Sequence, residues 1–98
     1  MVKHYIIWEL KDDIPNKSER KAKIKAALEG LVGKIDGLLK MNIITEGLPS
    51  SSGDLMMDSE FSDKDALIGY RKSPLHLEVA NTLVRPSVEK RLSFDFEA

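Results

Sequence analysis

The 98-residue chain contains no cysteine. Disulfides, thiolate nucleophiles and cysteine-based metal sites are therefore excluded. An excess of charge is also lacking: sixteen acidic residues face fifteen basic ones, a formal charge of −1. That balance argues against nucleic acid or an anionic membrane as a partner recognised through net charge. No apolar run approaches the roughly 20 residues needed to span a bilayer. Met1 to Leu10 carries Glu9 and no small-residue cleavage site, so it does not read as a signal peptide, and a cytoplasmic location is the expectation. Gly47 to Gly53 holds no lysine and lacks the spacing of a phosphate loop. What is there is ordinary for a globular protein: 42% apolar and 32% charged residues, enough chain for one domain, 1–98, and not for two.

The hydrophobic pattern changes period along the chain. In residues 2–10, Val2, His4, Ile6, Trp8 and Leu10 share one face and Lys3, Tyr5, Ile7 and Glu9 the other, a strand. Turn formers follow at 11–16. From Lys17 to Val32, Ile24, Leu28, Leu31 and Ile35 recur at helical spacing, with Asn16 or Ser18 as the cap. Gly33 and Gly37 mark the exit, where positive φ is needed. Lys17, Lys21 and Lys25 form an exposed stripe, read as a solvated helix face. Leu39, Met41 and Ile43 alternate as a second strand. Residues 46–53, rich in Gly, Pro and Ser, read as a mobile surface loop. Leu55 to Phe61 is a third strand, in hairpin with the second. Ser62 caps a helix through Tyr70, and Ser73-Pro74 caps a restart that carries His76 and ends at Pro86. Residues 91–97 form a last strand.

The order β-α-β-β-α-β predicts an α+β, ferredoxin-like protomer: a four-stranded antiparallel sheet with both helices on one face. Ile6, Trp8, Met41, Ile43, Leu55, Met57, Leu92 and Phe94 are expected under the helices. The other face, with Lys3, Glu9, Lys40, Asp58 and Asp95, also carries Tyr5, Ile7, Ile44 and Met56. So mixed a face wants cover, which a second protomer supplies.

Several segments are shared with a known family: Val2-Lys3-His4, Asp12-Asp13, Gly33-Lys34-Ile35-Asp36-Gly37 and Glu60-Phe61. The most specific are Tyr70-x-x-Ser73-Pro74-x-His76, Val84-x-Pro86 and Arg91-x-x-x-Asp95. Together they resemble the stress-responsive A/B barrel domain. That resemblance implies a homodimer whose sheets face each other as a dimeric α/β barrel. Some members resemble a plant polyketide cyclase that uses a histidine on strand one and a tyrosine and histidine around the second helix; His4, Tyr70 and His76 match. Leu55 stands where the cyclase has a further histidine, and Ser73 replaces the first histidine of His-Pro-x-His.

Each polar candidate has two readings. His4 is either a core histidine satisfied by a carbonyl or hydroxyl, or an imidazole projecting into a pocket as acid, base or donor. His76, at the third position of a helix, is held neutral by the partial positive charge there; it is a proton acceptor or a residue that orients the loop. Tyr70 either anchors its helix to the sheet or donates to an enolate oxygen beside His76. Trp8 is core or a ligand wall, with Ile6 and Leu55 beside it. Asp54, Asp58 and Glu60 share a strand face and are a salt-bridged row or a cation site; no cluster has convincing metal-ligand spacing, and no cofactor is implied. Three functions follow: a barrel binding a small apolar or carbonyl-containing ligand, a cofactor-independent lyase, cyclase or isomerase with catalytic His76, Tyr70 and His4, or a purely structural assembly.

Overall fold

A computed structural model describes residues 1–98. The elements are β1 (Val2–Leu10), α1 (Lys17–Glu29), β2 (Leu38–Ile44), β3 (Leu55–Phe61), α2 (Lys64–Lys72), α3 (Pro74–Val79), a π turn at Ala80–Val84, α4 (Arg85–Ser87) and β4 (Val88–Glu97). The sheet order is β2-β3-β1-β4 with every neighbouring pair antiparallel, the ferredoxin-like arrangement the periodicity predicts. No helix is long and apolar enough to cross a membrane.

Local chemistry sets the element ends. Asn16 caps α1, its Oδ1 accepting from the Glu19 N–H at 3.0 Å. α1 stops at Glu29, three residues before the expected end, and the chain unwinds through Gly33 and Gly37, with φ of 86° and 80°. At Gly37 any side chain would also collide with Ala66 of α2. Asp63, not Ser62, caps α2, accepting from the Ala66 N–H at 2.8 Å; the Ser62 N–H is instead tied to the Gly37 carbonyl. Ser73 occupies the cap position of α3 with Pro74 following, but its side chain makes no capping bond. Pro86 does not end the helical run, which continues to Ser87. A proline inside an α-helix crowds the carbonyl four residues back; here the wider π turn precedes it and accommodates the ring.

The covered face of the sheet meets α1 and α2 in one core, with Ile24, Leu28, Ile43, Met57 and Phe61 completely buried. Three expected placements on β4 are wrong. Leu92 and Phe94 do not lie under the helices. They are 73% and 70% exposed on the open face, because β4 pairs with β1 in the register Tyr5↔Phe94 and Ile7↔Leu92, and directly opposed residues share a face. The same register turns Asp95 inward, opposite His4. In β2 an irregularity between Leu38 and Lys40 leaves Leu39 exposed and puts Leu38 in the core.

The lysine stripe of α1 is not merely solvated. Lys25 Nζ donates to the Ile43 carbonyl at 2.8 Å and to Glu29 at 2.7 Å, Glu29 accepts the Ile43 N–H at 2.9 Å, and Lys21 reaches the Thr45 carbonyl at 3.3 Å. These bonds occupy the free edge of β2, where unpaired backbone groups invite a foreign strand.

Candidate active site

The covered face carries polar groups where β1 and β4 meet the helices. Strand alternation turns His4 inward from β1, and Asp95 lies across from it on β4. His4 Nδ1 is hydrogen-bonded to Asp95 Oδ1. Asp95 Oδ2 accepts from Arg71 Nη2 of α2 at 2.6 Å. Burial pushes Asp95 up, but the His4 and Arg71 contacts outweigh it and hold the carboxyl below its usual range. His4 is buried, and burial lowers its pKa despite Asp95, with Arg71 and Arg91 acting in the same direction. A neutral imidazole beside a carboxylate donates from Nδ1, leaving the Nε2 lone pair free.

Tyr70, at the end of α2, is 1% exposed. Its ring packs at 5.1 Å from Phe61 and 4.2 Å from the imidazole of His76. Its hydroxyl is buried without a hydrogen-bond partner, and so is Nδ1 of His76. Burial holds the phenol well above its ordinary range, against the field of Arg91, so it stays a proton donor. Burial also lowers His76; the Arg71 carbonyl opposes this and Arg85, His4 and Arg91 add to it. Desolvation leads this lowering, where the sequence reading named the charge at the helix end.

These groups line a cavity of about 520 Å³ between the sheet and the α3–α4 segment. His4, Tyr70, His76, Trp8 and Ile6 are all on its wall. Leu55 is not: it is a core residue opposite Trp8 on β3, and the cavity lies over β1 and β4, reached from β3 by Met57. Sequence reading missed Asp95, placed on the wrong face, and the wall arginines Arg71, Arg85 and Arg91. The signal was present in Arg91-x-x-x-Asp95, which shares one phase of β4. No three His, Asp or Glu side chains converge to hold a metal ion. Asp54 accepts the Leu10 N–H, while Asp58 and Glu60 pair with Lys40 and Lys3.

The sequence profile of the stress responsive A/B barrel domain, Dabb, matches residues 2–98. The chain belongs to the Dabb family. Among solved structures, this Dabb chain is similar to a dimeric protein of unknown function and ferredoxin-like fold from Bacteroides fragilis. The two are 28% identical over 99% of this chain and 95% of that one, with a TM-score of 0.88. An Arabidopsis thaliana protein is 22% identical, over 100% and 95% of the two chains, with a TM-score of 0.84. A hydroxynitrile lyase from Passiflora edulis is 19% identical, over 97% and 90%, with a TM-score of 0.75. The last two likenesses concern the fold. No curated protein matches this Dabb chain in sequence.

Proposed function

We propose that this Dabb protein is a homodimer in which each protomer's cavity holds a small, mainly apolar molecule, with one ligand oxygen accepting from Tyr70 beside His76. The observation that carries the ligand reading is two buried, unpartnered polar atoms, Tyr70 Oη and His76 Nδ1, on rings 4.2 Å apart that both line the cavity. A buried polar atom without a partner costs about 1–3 kcal/mol, and a bound oxygen that accepts from Tyr70 Oη offsets that cost for the hydroxyl. The dimer reading draws on Leu92, Phe94 and Phe96, exposed on the open face beside Ile7 and Ile44, and on the Bacteroides fragilis relative, itself described as dimeric. Light scattering should give twice the 11.0 kDa chain mass.

Trp8 is the sole tryptophan and lines the cavity, so its emission reports occupancy directly. Titration with 2-octanone should change it saturably, and Tyr70→Phe should weaken binding by about two- to tenfold. A spectrum that no eight-carbon ketone, ester or acid changes would sink the ligand reading.

A second reading, acid–base catalysis without a cofactor, is favoured by the same pair. Tyr70 is held protonated and His76 neutral, a donor beside an acceptor. His76 Nδ1 would take a proton from the carbon next to a ligand carbonyl, the C–H electrons passing into the enolate, whose oxygen accepts from Tyr70. The His4–Asp95–Arg71 chain fixes an imidazole tautomer nearby. Exchange of the α-hydrogens of 2-octanone in D₂O, followed by NMR, tests this; it should be lost in His76→Ala and Tyr70→Phe.

A further inference from the structure

We infer that the ligand's oxygen belongs to a carboxylate, and that Arg91 is the counter-charge that selects a small apolar acid. This rests on the cavity reading above and adds the ligand's chemical class. Arg91 lies opposite Trp8 in the β1–β4 register, so its side chain leaves the sheet on the covered side and joins the cavity wall. Three arginines line that wall, and their engagements differ. Arg71 is claimed by Asp95. Arg85 is bonded to Asn81, which carries no charge. Arg91 makes no side-chain hydrogen bond and no ion pair.

The single carboxylate on the wall is Glu89, which forms no ion pair either. With Asp95 set against Arg71, Arg85 and Arg91 face only Glu89, and the wall keeps an excess of positive charge. Arg91 lines the same cavity as Tyr70 and His76, the two residues whose buried polar atoms lack partners.

A guanidinium matches a carboxylate's planar pair of oxygens. Arg91 keeps solvent access in the free protein, so it stands unpaired at little cost. A ligand that displaces that water supplies its missing partner while Tyr70 Oη donates to the same head. Ile6, Trp8, Leu28 and Met57 receive the apolar body.

The test is Trp8 emission with octanoate, methyl octanoate and 2-octanone at low salt. Octanoate should bind about tenfold more tightly than its methyl ester, as expected for a hydrogen bond to a charged group. Added salt should shrink that preference. In Arg91→Leu the octanoate-to-ester ratio should fall to near one, Arg91→Lys should keep part of it, and Glu89→Gln should increase it. A wild-type ratio near one, with 2-octanone still binding, overturns the carboxylate assignment and leaves the cavity reading standing. A preference that survives in Arg91→Leu overturns the role of Arg91. No response to any of the three compounds overturns the cavity reading and this inference with it.

Discussion

The two faces of the sheet reverse the usual division of side chains. The covered face, which ought to be uniformly apolar, buries His4 and Ser59 and turns Asp95 inward. The open face carries Leu92, Phe94 and Phe96 toward solvent. The reversal is local. Over β2, β3 and most of β1 the covered side is apolar and buried, but β4 is exposed along nearly its whole length. The helices reach it only through long charged side chains, Arg71 to Asp95 and Lys64 to Glu97. Apolar residues of β4 therefore gain little by facing inward, and their burial requires another molecule on the other side. The inward phase of β4 is left to Arg91, Ser93 and Asp95, and there the cavity forms. A gap in the helix layer accounts for both the polar cavity and the greasy outer face.

If that account holds, damage to the two faces must differ in kind. Phe94→Asp should act through association. Each copy would lose a Phe contact worth about 1.5–3 kcal/mol, and a symmetric interface loses it twice, so the dimer dissociation constant should rise about a hundredfold or more. Light scattering at matched concentration should then give the 11.0 kDa chain. Phe61→Ala should act within the protomer. Its ring is fully buried against Tyr70 and near His4, so urea unfolding should show a loss of about 3–5 kcal/mol. That loss should persist in the Phe94→Asp background, where the concentration dependence of unfolding is gone.

The same contrast explains what could be read in advance. Strands β1 and β3 alternate with one apolar phase, and each phase faces the side that apolar content predicts. The Asn16 cap and the positive-φ glycines follow from local chemistry that needs no tertiary knowledge. β4 defeated the rule because its apolar phase, Leu92-Phe94-Phe96, satisfies a different surface; sequence shows that a strand has two faces and not which one a helix covers. His4, Tyr70 and His76 were legible as odd polar residues in apolar surroundings. Arg71 and Arg91 were not, because an arginine on an edge strand or a helix surface looks like any solvated charge until the register places it beside Trp8 or Asp95. The lysines of α1 were misread for the same reason, their partners being backbone groups of β2.

The buried imidazoles give the covered face a pH signature that the open face lacks. His4 and His76 both have pKa values lowered from 6.5 in the folded state. The unfolded chain therefore binds protons first as pH falls. Stability from these groups is fully present above about pH 6.5 and is lost below it, at up to about 1.4 kcal/mol per pH unit for each histidine. Urea midpoints at pH 7.5, 6.0 and 5.0 and fixed protein concentration should fall in that order. His76→Gln should make the fall shallower. A flat profile would mean that the imidazoles reach solvent and that the face is not desolvated as described.

The smallest change separates a site from a core. Tyr70 is packed like a core residue, and a tyrosine chosen for packing would have its hydroxyl satisfied. Its hydroxyl has no partner. Tyr70→Phe keeps the ring stacked between Phe61 and His76 and removes only that oxygen. Thermal and urea unfolding should then show stability unchanged or raised by about 1 kcal/mol, because a desolvated and unpaired group is gone. The same substitution should weaken 2-octanone. A hydroxyl that costs stability and improves binding is held for a ligand, whereas a loss of 1 kcal/mol or more on its removal would show a structural partner and make Tyr70 an anchor between helix and sheet.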